Sequence, residues 1–73
     1  MDKKVLKEAE EVSEKIISLW QNDEIKNKSI IDVCNELIVD REMCYKVLVY
    51  IPSILAKKGY EIVDADDLEL KKY

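Results

Sequence analysis

The stretch SIIDVCNELIVDREMCYKVLVYIPSILAKKG, residues 29–59, decides the fold of this chain. It holds most of the strongly apolar residues that follow the first helix, and it ends at the only glycine. Its pattern predicts a helix over residues 30–38, a tight turn, and a longer helix over residues 41–58. Ser29 and Asp40 precede the two helices, where a side-chain oxygen can accept a hydrogen bond from a free backbone N–H.

The longer helix contains a complication and an alternative. Pro52 lies inside it, and a proline removes one helical hydrogen bond, so we expect a kink or a break near Pro52. Residues 43–51 are apolar at eight of nine positions, and such a run is also compatible with a buried strand. The flanking charges favour the helix, and Lys57, Lys58 and Gly59 form a typical helix end.

The segments on either side of this stretch complete the predicted fold. Residues 2–21 place apolar side chains at spacings of three and four, which predicts an amphipathic helix that Asp2 can cap. In the following loop, Ile25 is expected to contact the core or to form a short strand. Residues 60–72 alternate around an acidic turn and predict a β-hairpin. We therefore expect one mostly α domain over residues 1–73, with three helices and a small C-terminal β-hairpin.

The composition limits how such a domain can be stabilised. The chain has 73 residues, 48% of them hydrophobic and 38% charged, which argues against disorder. A core of this size rarely supplies more than about 3–5 kcal/mol without a metal, disulfides or a partner subunit. Histidine is absent and there are only two cysteines, so self-association is the source that we expect.

The same composition argues against several classes of protein. Without histidine there is no ordinary nucleophile–base pair, so we predict no enzyme activity, no metal site and no cofactor. Cys34 and Cys44 are expected to be buried thiols. No apolar run approaches the ~20 residues of a membrane span, and the first residues lack the apolar centre of a signal peptide. We expect a cytoplasmic protein that does not bind membranes.

The order of elements over residues 29–70 resembles a winged helix-turn-helix DNA-binding domain. Residues 29–37 look like the first motif helix, and residues 38–41 look like its turn. Val47 and Leu48, followed by residues 55–60, look like the second motif helix and the start of the wing. The chain departs from the family pattern because its turn lacks glycine, its second motif helix is longer, and its wing is acidic.

This resemblance implies a small dimeric transcriptional regulator that binds duplex DNA, with the start of the second motif helix near base edges. Arg41 would contact guanine or a phosphate, and Ser29 and Tyr45 would contact phosphates. The alternative is that Arg41 and Lys46 are ordinary surface charges. The DNA-binding residues that the resemblance implies are Ser29, Arg41, Glu42, Tyr45 and Lys46.

A second hypothesis comes from charge and from surplus apolar surface. The net charge is −4, and lysine and arginine do not cluster along the sequence, whereas phosphate binding depends on such clusters. The chain is therefore also interpreted as an acidic interaction module: an adaptor, an anti-repressor or an inhibitor of a basic protein. Exposed aromatic clusters mark protein interfaces, so we predict a homodimer through the third or the first helix. The predicted interface residues are Trp20, Tyr45, Val49 and Tyr50.

Overall fold

Three helices and a two-stranded hairpin are present in the computed structural model, which describes residues 3–25 and 27–73. The predicted mostly α fold with a C-terminal hairpin is confirmed. The strands pair antiparallel, with Tyr60 opposite Lys72. The elements are, in chain order, α1 (Lys3–Gln21), α2 (Ile30–Leu37), α3 (Arg41–Lys57), β1 (Tyr60–Asp64) and β2 (Glu69–Lys72).

The helices α2 and α3 begin at the capping residues that the sequence predicts. Ser29 Oγ accepts a hydrogen bond from the Asp32 backbone N–H at 3.1 Å, and the Ser29 N–H donates to Asp32 Oδ2 at 3.0 Å. This reciprocal pair satisfies two of the donors that a helix start leaves free. Asp40 Oδ1 accepts from the Glu42 N–H at 3.1 Å and caps α3 with this single hydrogen bond. The cap predicted at Asp2 lies outside the described residues.

Residues 43–51 are helical, so the alternative of a buried strand is wrong. Of the predicted kink or break near Pro52, the break is wrong, because α3 runs through Pro52 as one helix to Lys57, while the kink stays a prediction. Ile51 and Leu55, before and after Pro52, are fully buried, and their packing holds the helix across the missing hydrogen bond. Past the helix end, Gly59 has a φ of +89° and donates its N–H to the Ala56 carbonyl at 3.1 Å.

The core lies mainly between α1 and α3, with α2 and the hairpin closing its sides. Ile16 of α1 packs with Ile51 and Leu55 of α3 among the fully buried side chains. Leu68 and Leu70 bring the hairpin into the same cluster. The core residues alternate with charged residues at helical spacing, which leaves one face of each long helix in solvent.

The loop before α2 contacts the hairpin without forming a strand. Ile25 is buried as expected, but it belongs to no strand, so the short strand suggested for this position is wrong. Instead, two backbone hydrogen bonds join this region to the hairpin. The Leu68 N–H donates to the Lys28 carbonyl at 2.8 Å, and the Ile30 N–H donates to the Ala65 carbonyl at 3.0 Å. The acidic turn therefore lies against the first turn of α2.

Candidate functional site on the third helix

The solvent-facing side of α3 carries an apolar stripe. The side chain of Tyr45 is 61% exposed and that of Val49 is 74% exposed, and both are large enough to favour burial. Pro52 and Ala56 continue the line and are also exposed. Successive spacings of four, three and four residues place all four side chains on one face, which is the spacing of a coiled-coil seam. We call these four residues the α3 stripe.

An apolar groove of about 630 Å³ lies along one side of the stripe, between α3, the start of α2 and the hairpin. Leu48 and Pro52 form its α3 wall, and Ile31 and Tyr73 stand opposite. The Tyr73 hydroxyl donates to the Glu61 carboxylate, and the Tyr73 N–H donates to the Gly59 carbonyl at 2.8 Å. The last residue is therefore fixed at the edge of this groove.

A basic cleft of about 590 Å³ lies on the other side, between α1 and the end of α3. Leu6 and Ile54 form its apolar floor. A second, smaller cleft of about 290 Å³ also lies between α1 and α3, and it is bordered by Val5 of α1 and by Lys46, Val49 and Tyr50 of α3. We call the two together the lysine cleft. The lysines that line it are Lys3, Lys7, Lys46, Lys57 and Lys58.

The charges around the lysine cleft are poorly balanced. Glu10 lines it and Glu14 pairs with Lys58 at 3.6 Å, so five lysines and two glutamates give +3 in a chain of net charge −4. Within the described ranges, Lys3 and Lys7 form no ion pair with any carboxylate. A lysine in the first turn of a helix also opposes the positive end of the helix dipole. Positive charge concentrated in this way attracts anions.

The lysine cleft was missed in the sequence because its lysines are far apart in the chain. Lys3 and Lys7 come from the first turns of α1, whereas Lys57 and Lys58 come about fifty residues later. In the sequence, Lys3 and Lys7 belong to the charged face of α1, and nothing distinguishes them from its other charged residues. Its location opposite the end of α3 required the tertiary fold.

The predicted DNA-binding residues fall into two places. Arg41, Glu42, Tyr45 and Lys46 are all exposed on the first half of α3. Ser29 lies apart from them at the start of α2, where both its hydroxyl and its N–H are bonded to Asp32. The Asp32 carboxylate beside Ser29 is an unfavourable neighbour for a phosphate.

The predicted interface residues are divided as well. Tyr45 and Val49 lie on the α3 stripe, and Tyr50 is half-buried beside Val49 on the side of the lysine cleft. Trp20 instead packs within the chain, edge to face on the ring of Tyr60. Tyr60 lies three residues beyond the end of α3, so this contact lies far from Tyr45 in the first turns of that helix.

The two cysteines lie between α2 and α3 as buried thiols. Cys34 Sγ is 4.0 Å from the Cys44 carbonyl oxygen. Burial first, and then hydrogen bonding with Cys44, raises the pKa of Cys34 to about 12, so the thiol is neutral at ordinary pH. Across residues 3–25 and 27–73, no cluster of three or more cysteine or carboxylate side chains is arranged to hold a metal ion.

No family model, curated protein or solved structure matches this chain. Its function is therefore inferred from its own charges and exposed side chains. In the part of the chain that the structure describes, no helix combines the length and the apolar composition of a membrane span.

Proposed function

We propose that this protein is a small homodimeric transcriptional regulator of winged-helix-like fold that binds duplex DNA. The observation that supports this function is the concentration of positive charge along the lysine cleft. Affinity for DNA depends on lysine and arginine side chains that neutralise phosphates, and such residues must be clustered in space rather than in sequence. A net charge of −4 does not prevent this, since the remaining residues carry the excess of acidic groups.

The lysine cleft suits the sugar–phosphate backbone. Lys3 and Lys7 project from α1 and Lys57 from α3, so a phosphate in the cleft meets ammonium groups from two elements. Leu6 and Ile54 form an apolar floor between these lysines, whose ammonium groups are exposed. Backbone contacts of this kind position DNA and carry no sequence information.

Sequence preference would require a separate contact. Arg41 is exposed at the start of α3, and an arginine can donate two hydrogen bonds to a guanine edge. It is the candidate base-reading residue. Ser29 lies apart from the proposed surface, at the start of α2 beside the Asp32 carboxylate.

The test is the binding of a labelled ~20-base-pair duplex, followed by fluorescence anisotropy at about 50 mM salt and then at increasing salt. We expect saturable binding that weakens steeply with salt, and a loss of at least about fivefold in Lys7→Glu. The matched control is Lys15→Glu, which makes the same charge change on α1 in a shallow depression bordered by Glu8 and Glu11. Equal losses in both variants, or no binding by the native protein, would contradict the proposal.

A second candidate function is an acidic module that binds a basic protein. The supporting observation is the hairpin turn, where Asp64, Asp66 and Asp67 are all exposed. The probe is a lysine-rich peptide titrated by anisotropy. Under this function Asp66→Lys lowers peptide affinity and Lys7→Glu does not, which is the reverse of the order expected for DNA.

A further inference from the structure

We infer that α3 pairs antiparallel with α3 of a second copy of this chain, through the α3 stripe. The inference names the interface of the proposed homodimer, and it rests on that part of the proposed function alone. Three independent features of α3 support it: the spacing of the stripe, the sizes of its side chains, and the charges beside it.

The spacing of the stripe fits a helix better than any other partner. Tyr45, Val49, Pro52 and Ala56 follow one another at four, three and four residues and cover three turns of α3. A row of this kind fits the facing row of a second helix, because knobs on one helix enter the gaps on the other. Tyr45 and Val49 are mostly exposed within the chain, so their apolar surface is available to a partner.

The sizes of the side chains favour an antiparallel pair. With the two helices reversed about the middle of the stripe, Tyr45 faces Ala56 of the second copy, and Val49 faces its Pro52. Each large side chain then meets a small one, which fills space evenly. In a parallel pair, the two tyrosines would meet each other and the two alanines would leave a gap.

The charges beside the α3 stripe also favour the antiparallel arrangement. Glu42 in the first turn and Lys57 in the last turn lie on the same flank of the stripe. In an antiparallel pair this flank meets its own counterpart, so Glu42 lies near Lys57 of the second copy, twice per dimer. In a parallel pair this flank meets the opposite flank of the second copy instead, so Glu42 and Lys57 of the two copies are not brought together.

This geometry connects the dimer to the lysine cleft. A two-fold axis between antiparallel helices keeps the same flank of both helices on one side of the dimer. The lysine cleft borders that flank, so both clefts open on one side and both hairpins lie on the other. In this arrangement Tyr45 is an interface residue and does not contact phosphate. One duplex can then meet the remaining lysines of both clefts, which are Lys3, Lys7 and Lys46 of each copy.

The first experiment measures mass in solution by sedimentation equilibrium at micromolar concentration. We expect a dimer for the native chain and a monomer for Val49→Asp, with helical circular dichroism retained. The matched control is Val63→Asp, because Val63 on β1 is also exposed, at 59%, but lies away from the stripe. A monomeric native chain, or a Val49→Asp variant as dimeric as the control, would overturn the inference.

The second experiment tests the antiparallel orientation of the two α3 helices by reversing the charges of Glu42 and Lys57. Glu42→Lys alone and Lys57→Glu alone should each weaken dimerisation by roughly fivefold at low salt. The double variant should recover the native dimerisation constant, since each pair re-forms with its charges exchanged. A double variant no better than the single ones would contradict the antiparallel arrangement. A stable dimer that fails to bind DNA would overturn only the proposed function.

Discussion

Trp20 and Tyr60 meet edge to face, with their ring centroids 5.9 Å apart and their ring planes at 82°. The Tyr60 hydroxyl also accepts a hydrogen bond from Gln21 Nε2 at 3.0 Å. These contacts join the end of α1 to the first residue of the hairpin. The hairpin is therefore attached to α1 as well as to α2 and α3, and a domain of this size gains stability from each attachment.

The Trp20–Tyr60 contact should be measurable as a coupling energy. A double-mutant cycle with Trp20→Leu and Tyr60→Leu is expected to give about 0.5–1.5 kcal/mol beyond the sum of the single effects, because edge-to-face rings attract one another. Urea unfolding of the four proteins measures it. Additive free energies of unfolding would show that the rings contribute only through their buried area.

Removal of either helix cap should destabilise the protein by about 1 kcal/mol. In Ser29→Ala the Asp32 N–H loses its acceptor, and in Asp40→Ala the Glu42 N–H loses its acceptor. Thermal or urea unfolding measures the change. Ser53→Ala is the control, since Ser53 is exposed in the interior of α3 and should change stability by less than about 0.5 kcal/mol.

Replacement of Gly59 tests the end of α3. Its φ of +89° lies in the region that other L-residues avoid, while a Cβ added there would meet no atom within 4 Å. Gly59→Ala should therefore cost about 1–2 kcal/mol through the backbone alone. Gly59→Asn should cost less, because asparagine tolerates this conformation better. Equal losses in the two variants would contradict a purely conformational cause.

The buried thiol of Cys34 predicts a stability change at alkaline pH. Burial raises its pKa from 9.0 to about 12, so the folded protein holds the proton more tightly than the unfolded chain. This contribution is complete below pH 9 and is lost as the pH rises from 9 towards 12. Between pH 9 and 11 the free energy of unfolding should fall more steeply in the native protein than in Cys34→Ala. Parallel pH profiles for the two proteins would exclude this thiol as the cause.

Local features of this fold were predictable from sequence because they depend on neighbouring residues. The caps at Ser29 and Asp40 and the helix end at Gly59 each follow from residues within one turn. The helix ends were displaced by one residue, since Ile38 caps α2 and Lys58 caps α3.

Features that depend on tertiary packing were not predictable in the same way. The continuation of α3 through Pro52 depends on the burial of Ile51 and Leu55, which a propensity argument does not include. The lysine cleft depends on how α1 crosses the end of α3. The resemblance to a winged helix implied Arg41 and Ser29 as DNA-binding residues. The lysine cleft, where positive charge is most concentrated, includes neither of them.

Two backbone hydrogen bonds join the segment before α2 to the hairpin turn, and they affect how the chain folds. The Ile30 N–H donates to the Ala65 carbonyl, thirty-five residues later in the chain. The Lys28 carbonyl accepts from the Leu68 N–H, forty residues later. The first turn of α2 and the hairpin are therefore one cooperative unit, and neither can open without exposing polar groups of the other. During synthesis, the start of α2 cannot reach its final hydrogen bonding until the hairpin residues have left the ribosome.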